Sequence, residues 1–585
     1  MIHRRTLRGS AAALTALSVV AAMVVAPPSA LAADPPSLQP LLVTSFDTSA
    51  AGTGARALLG DVTGDGRLDL VLMQPTFSAD DRFIGRQTQA LTAYDIGTGQ
   101  LLWQIGTPDP RVTNNGTDIP AEIYDIDGDG DNDVLAVMEN EFRIFDGRTG
   151  QFVRSFPLPH PEAHDTIIFA NFRGLPTPQD IILKDRYNQI WALDSSGNLL
   201  WTHQGVTGHH PYPHDFNDDG RQELVGGYDF LTPDGAHLWT ADMADHPDSI
   251  GVGDIDGDGH EDIVFGGAGL GGDSTNTYHS DGSLLWRNLD AVEAQQVGLG
   301  DFRPDLPGLE VAGLDRVDRT PTNAQDSLYL VSSTGQTLWK EQRPTRGCFG
   351  TVMEPLHNWD GTYGDLLLAW NRGCGEIAGI WDAFGNRVAT WPVDGRMVRG
   401  DICGDDRTEV LTYVMGVAAY VYANAPCDLN AKVTGRPLPQ AKKLYNYTRY
   451  TAEEIPQDAA RGHAATASSA LPRRTADLAN DGDPATRWIA SPLDRSPSWQ
   501  VDLGRIRELT GIIVDFGNWP RTAGYRVQVS RDGQDWATVE QRGGGLVIAK
   551  VERRDFTGLG RYVRITAERT VVPFSLAEVS VLGTR

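Results

Sequence analysis

Basic side chains are in deficit in this 585-residue chain: 50 lysines and arginines stand against 77 aspartates and glutamates, a formal net charge of −27. A surface of that sign repels phosphate backbones and anionic lipid heads, which argues against nucleic acid and membrane as partners. Long apolar runs are also rare. Only Ala11 to Ala26 qualifies, and it is short and rich in small residues, so no membrane span is expected. Arg4, Arg5 and Arg8 precede it and Ala30-Leu31-Ala32 follows, the pattern of an export signal over 1–32 that leaves a secreted protein. Cysteine is limited to four residues, which suits an oxidising compartment. Cys348 with Cys374 and Cys403 with Cys427 are the sequence-nearest of three possible pairings. Each would close a loop of about 25 residues and contribute about 3 kcal/mol. No recognisable catalytic motif is present.

What the chain has instead is a repeated acidic loop, with oxygen-bearing side chains at positions one, three, five and nine. The clearest copies are Asp61, Thr63, Asp65 and Asp69; Asp125, Asp127, Asp129 and Asp133; and Asp254, Asp256, Asp258 and Asp262. Weaker copies are Asp215, Asn217, Asp219 and Glu223, and Asp401, Cys403, Asp405 and Glu409, where the cysteine weakens the set. A sixth, at Asp301, Arg303, Asp305 and Glu310, carries an insertion and has lost a ligand. Alternate oxygens on a tight glycine-bearing turn wrap a hard cation, and calcium accepts six to eight oxygens in flexible geometry. Calcium is therefore the expected cofactor at several structural sites, with one at a catalytic centre as a further option.

Each loop lies between two short strands, followed by a third strand, an Asp-Gly-type turn and a fourth strand carrying Trp or Phe, as in Leu91 to Trp103 and Tyr278 to Trp286. Four short strands per unit is the grammar of a propeller blade. Degenerate units at Asn171 to Asp180 and Asn358 to Asp365 raise the count to eight, with seven as the alternative. The last unit is one strand short, and Leu41 to Phe46 would complete it by pairing the two ends of the ring. The fold class is thus all-β: a propeller over 38–427, a connector over 428–462 and a different β-rich pattern over 463–585.

In such a propeller the innermost strand of each blade begins at one rim of a central funnel. Reading those positions gives Thr117 and Asp118; His164 and Asp165; His209, His210, Tyr212 and His214; Asp245, His246 and Asp248; Gln295 and Gln296; and Arg396. Histidine is sparse, yet five copies fall at equivalent positions of three neighbouring units. The set predicts one polar mouth in which His164, His210, Tyr212, His214, His246 and Arg396 are the catalytic candidates, and Asp118, Asp165, Asp248, Gln295 and Gln296 touch substrate. Such a set has what β-elimination on a uronate sugar requires: a cation for the carboxylate, a base and an acid. The acidic loops fall in the turns after the inner strands, away from that mouth.

Two resemblances add to this. From Leu478, Asn480, Asp481, Asp483, Thr486 and Trp488 through Ser498-Trp499 and Tyr525 to Arg561–Ile565 and Leu576–Val579, the C-terminal pattern resembles a discoidin (coagulation factor 5/8 type C) domain, the jelly roll that includes family-32 carbohydrate-binding modules. The resemblance implies a calcium held by the Leu478, Asp483 and Ala577 carbonyls with Asp481, Thr486 and Glu578, and core positions for Trp488 and Trp499. It also implies sugar contacts from loops bearing Asn518, Trp519, Arg521 and Arg495, where an exposed Trp519 would stack on a galactose-like ring and Arg521 would fix hydroxyls. The acidic loops resemble FG-GAP repeats of integrin-like propellers. Gly300 to Val311, Asn358 to Gly361 and Asp382 to Arg387 look similar to rhamnogalacturonan lyases of polysaccharide lyase family 11, which implies an eight-bladed calcium propeller that cleaves pectin by β-elimination. The N-terminal sandwich of that family is missing, and no catalytic residue is carried over. The expected function is a secreted, monomeric lyase on uronate- or galactose-containing polysaccharide. A non-catalytic calcium-dependent lectin and a glycoside hydrolase, which would need two carboxylates across the mouth, are the alternatives.

Overall fold

The computed structural model describes residues 38–77, 86–113, 120–217, 219–267, 275–318, 325–344, 351–361, 364–371, 378–405, 407–429, 457–481, 486–517, 522–543, 551–570 and 573–583. The export signal, most of the connector, Thr117, Asp118, Cys348, Cys374, Asp483, Asn518, Trp519 and Arg521 lie outside the described residues. Among the described residues no helix is long and apolar enough to cross a membrane.

Eight four-stranded antiparallel sheets make a propeller. Their innermost strands are Arg56–Gly60, Ala121–Tyr124, Thr166–Ala170, Tyr212–His214, Pro247–Gly253, Ala294–Gly300, Thr351–His357 and Arg396–Gly400, and these define blades 1 to 8 in order. The innermost strand of blade 8 packs beside that of blade 1, so the ring closes. Blade 8 takes its outermost strand from the other end of the chain. Leu41–Asp47 runs antiparallel to Ala418–Ala423, from Leu41 opposite Ala423 to Asp47 opposite Ala418. The expectation of eight blades with an end-to-end closure holds. Cys403 and Cys427 bracket the second and third strands of that blade and are disulfide-bonded, with Cα atoms 5.6 Å apart.

Inner strands are apolar on both faces because each is covered by a neighbouring blade. Arg56–Gly60 and Asp69–Pro75 are buried throughout, whereas Leu101–Gly106 at the outer edge is half solvated. The core is accordingly eight wedges between blades rather than one centre. Leu58, Val71 and Trp103 of blade 1 pack on Ile123 and Val134 of blade 2, and the series ends with Val398 and Leu411 of blade 8 on Leu59 and Leu72 of blade 1. In blades 1 to 6 the Trp or Phe of the outer strand docks on the next blade's Asp-Gly-type turn. Trp103 Nε1 donates to the Gly147 carbonyl (2.7 Å), Trp201 to Pro233 (2.9 Å), Trp239 to Ser280 (2.9 Å) and Trp339 to Ala383 (2.9 Å). Only glycine fits beneath the ring: Gly235 has φ +79° and an added Cβ would stand 2.6 Å from Trp201. Phe46 closes the series on Gly99 of blade 1.

The C-terminal sheet is dominated by two long strands, Ser498–Asp515 and Val551–Thr570, flanked by Glu578–Gly583 and Thr522–Ser530; a small second sheet pairs Trp488–Ile489 with Ser575–Leu576. Trp488 and Trp499, both at 0% exposure, fill the core with Tyr525 and Phe574.

Candidate active site at the mouth, and the acidic loops opposite

Antiparallel order fixes what each rim carries. An innermost strand starts at the mouth and ends at the acidic loop, and the second strand returns. The mouth therefore receives both the links between blades and the hairpins joining strands two and three.

At the mouth of blades 3 to 6 one cluster forms. His209 Nε2 stands 3.3 Å and His246 Nε2 3.6 Å from the same oxygen, Asp248 Oδ1. His246 Nδ1 donates to Asp245 Oδ1 at 2.7 Å. Gln295 donates its amide to Asp248 Oδ2 and to Glu293 Oε1, and Arg316 reaches Glu293 at 3.6 Å. The Tyr187 ring covers both imidazoles, with centroids 4.5 Å from His246 and 5.6 Å from His209. Arg186 lies over Tyr187 and 3.7 Å from Asp165. Lys184, fully buried, donates to Asp165 (3.3 Å) and to the carbonyls of Asp185 (2.6 Å) and Arg186 (2.7 Å), which fixes the hairpin that presents Tyr187.

Electrostatics separates the two imidazoles. Burial, reinforced by the Arg186 charge, pushes His209 down to about 3 and keeps it neutral. Burial pulls His246 the same way, but the hydrogen bonds and charges of Asp248 and Asp245 outweigh it and raise its pKa above the usual value. Asp248 is held well below the carboxylate range: burial opposes this, but the hydrogen bonds from His209 and His246 prevail.

Of the candidates read from sequence, His246, Asp248, Asp165 and Gln295 meet in this network. His164 and His210 are buried beside it; burial lowers the pKa of His164, and His210 Nδ1 stands 3.4 Å from the Thr166 hydroxyl. Gln296 turns toward blade 7, where its carbonyl accepts the Met353 N–H (2.9 Å). Arg396 is buried at the start of blade 8's inner strand. Two candidates go elsewhere. Tyr212 is packed in the apolar wedge between blades 4 and 5. His214 is carried by its three-residue strand to the far rim, against Phe216 and 3.8 Å from Glu261, because it immediately precedes an acidic loop. Sequence reading missed Tyr187, Arg186, Glu293 and Arg316. The available signal was the hairpin Asp185-Arg186-Tyr187-Asn188, which the antiparallel order sends back to the mouth.

On the opposite rim the acidic loops fold alike. In blade 1, Asp61 accepts the N–H groups of Gly64 (2.7 Å) and Gly66 (2.8 Å), and Asp69 Oδ2 those of Val62 and Thr63 (3.0 Å each); Asp65 turns back to the Arg67 N–H (3.0 Å). Asp125 in blade 2, Asp215 with Glu223 in blade 4, and Asp254 with Asp262 in blade 5 repeat this. Oxygens of Asp125, Asp127 and Asp129 gather within 4.8 Å of one another, as do those of Asp254, Asp256 and Asp262, and of Asp401, Asp405 and Glu409. Burial, with the like charges of the loop, pushes Asp69 and Asp133 up to about 7 and Asp262 to about 6. Crowded hard oxygens whose mutual repulsion a divalent ion would offset are a donor set suited to calcium. The degenerate loops differ. Arg173 lies 2.6 Å from the fully buried Asp180 in blade 3, and in blade 6 Arg461 lies 2.8 Å from Asp301 while Arg303 grips Asp305 (2.7 Å).

Comparison with known proteins bears on both parts. Residues 464–579 match the F5/8 type C domain family. The C-terminal unit is an F5/8 type C domain. In it the Thr486 hydroxyl stands 2.8 Å from Asp481 and 3.3 Å from the Leu478 carbonyl, so three members of the implied cation set meet; Glu578 begins the strand Glu578–Gly583, and Arg495 is exposed. Over a longer stretch the chain is similar to two lyases of Bacillus subtilis (strain 168). The rhamnogalacturonan exolyase YesX is 22% identical over 437 residues, covering 61% of this chain and 68% of the relative. The rhamnogalacturonan endolyase YesW is 26% identical over 343 residues, covering 52% and 51%. Among solved structures, the Bacillus licheniformis rhamnogalacturonan lyase PL11 aligns at a TM-score of 0.48 and 15% identity, over 72% of this chain and 81% of that one.

Proposed function

We propose that this chain is a secreted, calcium-dependent lyase that cleaves a rhamnogalacturonan-type, uronate-containing polysaccharide by β-elimination, and that its F5/8 type C domain holds it on galactose-bearing polymer. The observation that carries this is the mouth cluster, where two imidazoles meet one ionised carboxylate beneath a phenol ring that a guanidinium flanks. The names of the two relatives, both rhamnogalacturonan lyases, point the same way.

Elimination needs the uronate carboxylate neutralised, so that the C5 proton becomes acidic. As that proton leaves, its bonding pair becomes the C4–C5 double bond, the C4–O bond breaks, and the departing oxygen takes a proton. Arg186 is placed to meet the carboxylate. Tyr187 and His246 stand at the open side of the cluster for proton transfer, and Asp248, Asp245 and Lys184 hold them in position. Calcium at the loops of blades 1, 2, 4 and 5 supports the fold from the opposite rim.

The test is ultraviolet absorbance of unsaturated uronate as the calcium-loaded protein meets rhamnogalacturonan. We expect a steady rise that Tyr187→Phe or His246→Ala lowers by about 10²–10⁴-fold. A flat trace with polymer binding intact would overturn the lyase reading in favour of a lectin, and new reducing ends without absorbance would favour a hydrolase.

A further inference from the structure

The mouth cluster has a feature that proton transfer does not use. Three donor atoms from two blades (Nε2 of His209, Nε2 of His246 and Oδ1 of Asp248) lie within 4.8 Å of one another. With metal–ligand bonds of about 2.0–2.2 Å, neighbouring donors around a tetrahedral ion stand about 3.4 Å apart. The two edges that meet at Asp248 measure 3.3 and 3.6 Å.

The surroundings orient these donors as a metal site would. His246 Nδ1 is committed to Asp245, which leaves Nε2 as the ring nitrogen that faces Asp248. A histidine that hands its second ring nitrogen to a carboxylate is the recurrent support behind a ligating imidazole. Gln295, 1% exposed, takes the other oxygen of Asp248 and leaves Oδ1 facing the imidazoles. Tyr187 roofs the cluster, while His246 stays open at 20% side-chain exposure. Two imidazoles and one carboxylate form a softer set than the all-oxygen loops on the far rim, and they select a borderline ion over calcium.

We propose that His209, His246 and Asp248 bind a divalent transition ion, zinc foremost, whose open coordination position takes the carboxylate of a uronate sugar. The inference rests on the lyase reading for its ligand, though not for the metal. In its light Tyr187 remains as the group that exchanges the proton, and Asp245 and Gln295 are positioning residues.

The experiment titrates zinc into the mature chain held in excess calcium, so that the acidic loops are already filled, and counts bound zinc by elemental analysis. We expect one zinc per chain, an affinity loss of more than 100-fold in His246→Ala, and a loss of about 10–100-fold in Asp245→Asn, which removes only the support. Thermal unfolding of each calcium-loaded variant verifies that it is folded. Cobalt in place of zinc should give a visible absorption band that galacturonate shifts and rhamnose does not. No zinc in calcium excess, or equal zinc in wild type and both variants, overturns the site. Zinc bound without any elimination supports the site and counts against the lyase alone. Unsaturated product from zinc-free protein at the full rate overturns the metal's role and leaves the lyase standing.

Discussion

The loops of blades 1 and 2 and the loop of blade 3 solve one problem in two ways. All three place a carboxylate at the start of the second strand: Asp69 and Asp180 are buried and Asp133 is half-buried. In blade 3 the chain supplies its own cation, Arg173. Among the described residues neither Asp69 nor Asp133 meets a lysine or arginine, and both resist ionisation. An intramolecular charge is always present, whereas an ion must be recruited. With calcium in the loops of blades 1 and 2, as proposed, the same fold would have a calcium-independent sector beside sectors whose strength follows free calcium.

The largest effect expected is from calcium removal. An ion at 100 to 1,000 times its Kd contributes about 2.7–4.1 kcal/mol per site, so chelation should lower the melting temperature steeply, and added calcium should restore it. Next comes Arg173→Ala. Leaving Asp180 buried without its partner should cost about 2–3 kcal/mol, with chelation lowering stability by the same amount as in wild type. If calcium rescued Arg173→Ala, the two kinds of loop would be one. Asp69→Asn sharpens the contrast: it should destabilise the calcium-loaded protein and be neutral or stabilising without calcium.

A smaller effect is pH dependence in chelator. Asp69 and Asp133 hold protons in the folded chain up to pH about 7 but lose them near 3.8 when unfolded. Between those values the folded state binds more protons, so stability falls as pH rises. The metal-free protein should melt a few degrees higher at mildly acidic pH than at alkaline pH, and calcium should abolish or reverse the trend. The smallest effect is expected of Arg303→Ala. Its partner Asp305 is 62% exposed, so the change should stay below about 1 kcal/mol.

The eight blades were legible because the acidic turn and the aromatic outer strand recur, and recurrence survives degeneration of single copies. Even the closure by Leu41–Asp47 followed from counting strands. The mouth was only partly legible. His246 and Asp248 sit at strand starts and were found by register, but Tyr187 and Arg186 come from a hairpin with no repeated counterpart. Their convergence depends on the angle between blades, which no periodicity records. Tyr212 shows the converse: at the right offset, alternation along the strand turned its ring into the apolar wedge.

The pairing of Leu41–Asp47 with Ala418–Ala423 has a consequence for the order of events in the cell. The first strand of the propeller to be synthesised waits for one of its last strands, with its hydrogen-bonding edge uncovered in the meantime. Nearly all of blades 1 to 7 is synthesised before the ring can shut, a contact of extreme sequence separation and therefore a slow one. Shortening the chain before Ala418 should leave an open arc that aggregates rather than a smaller propeller. The Cys403–Cys427 bond closes the chain around Glu409–Val414 and Ala418–Ala423, so oxidation braces the hairpin on which Leu41–Asp47 docks.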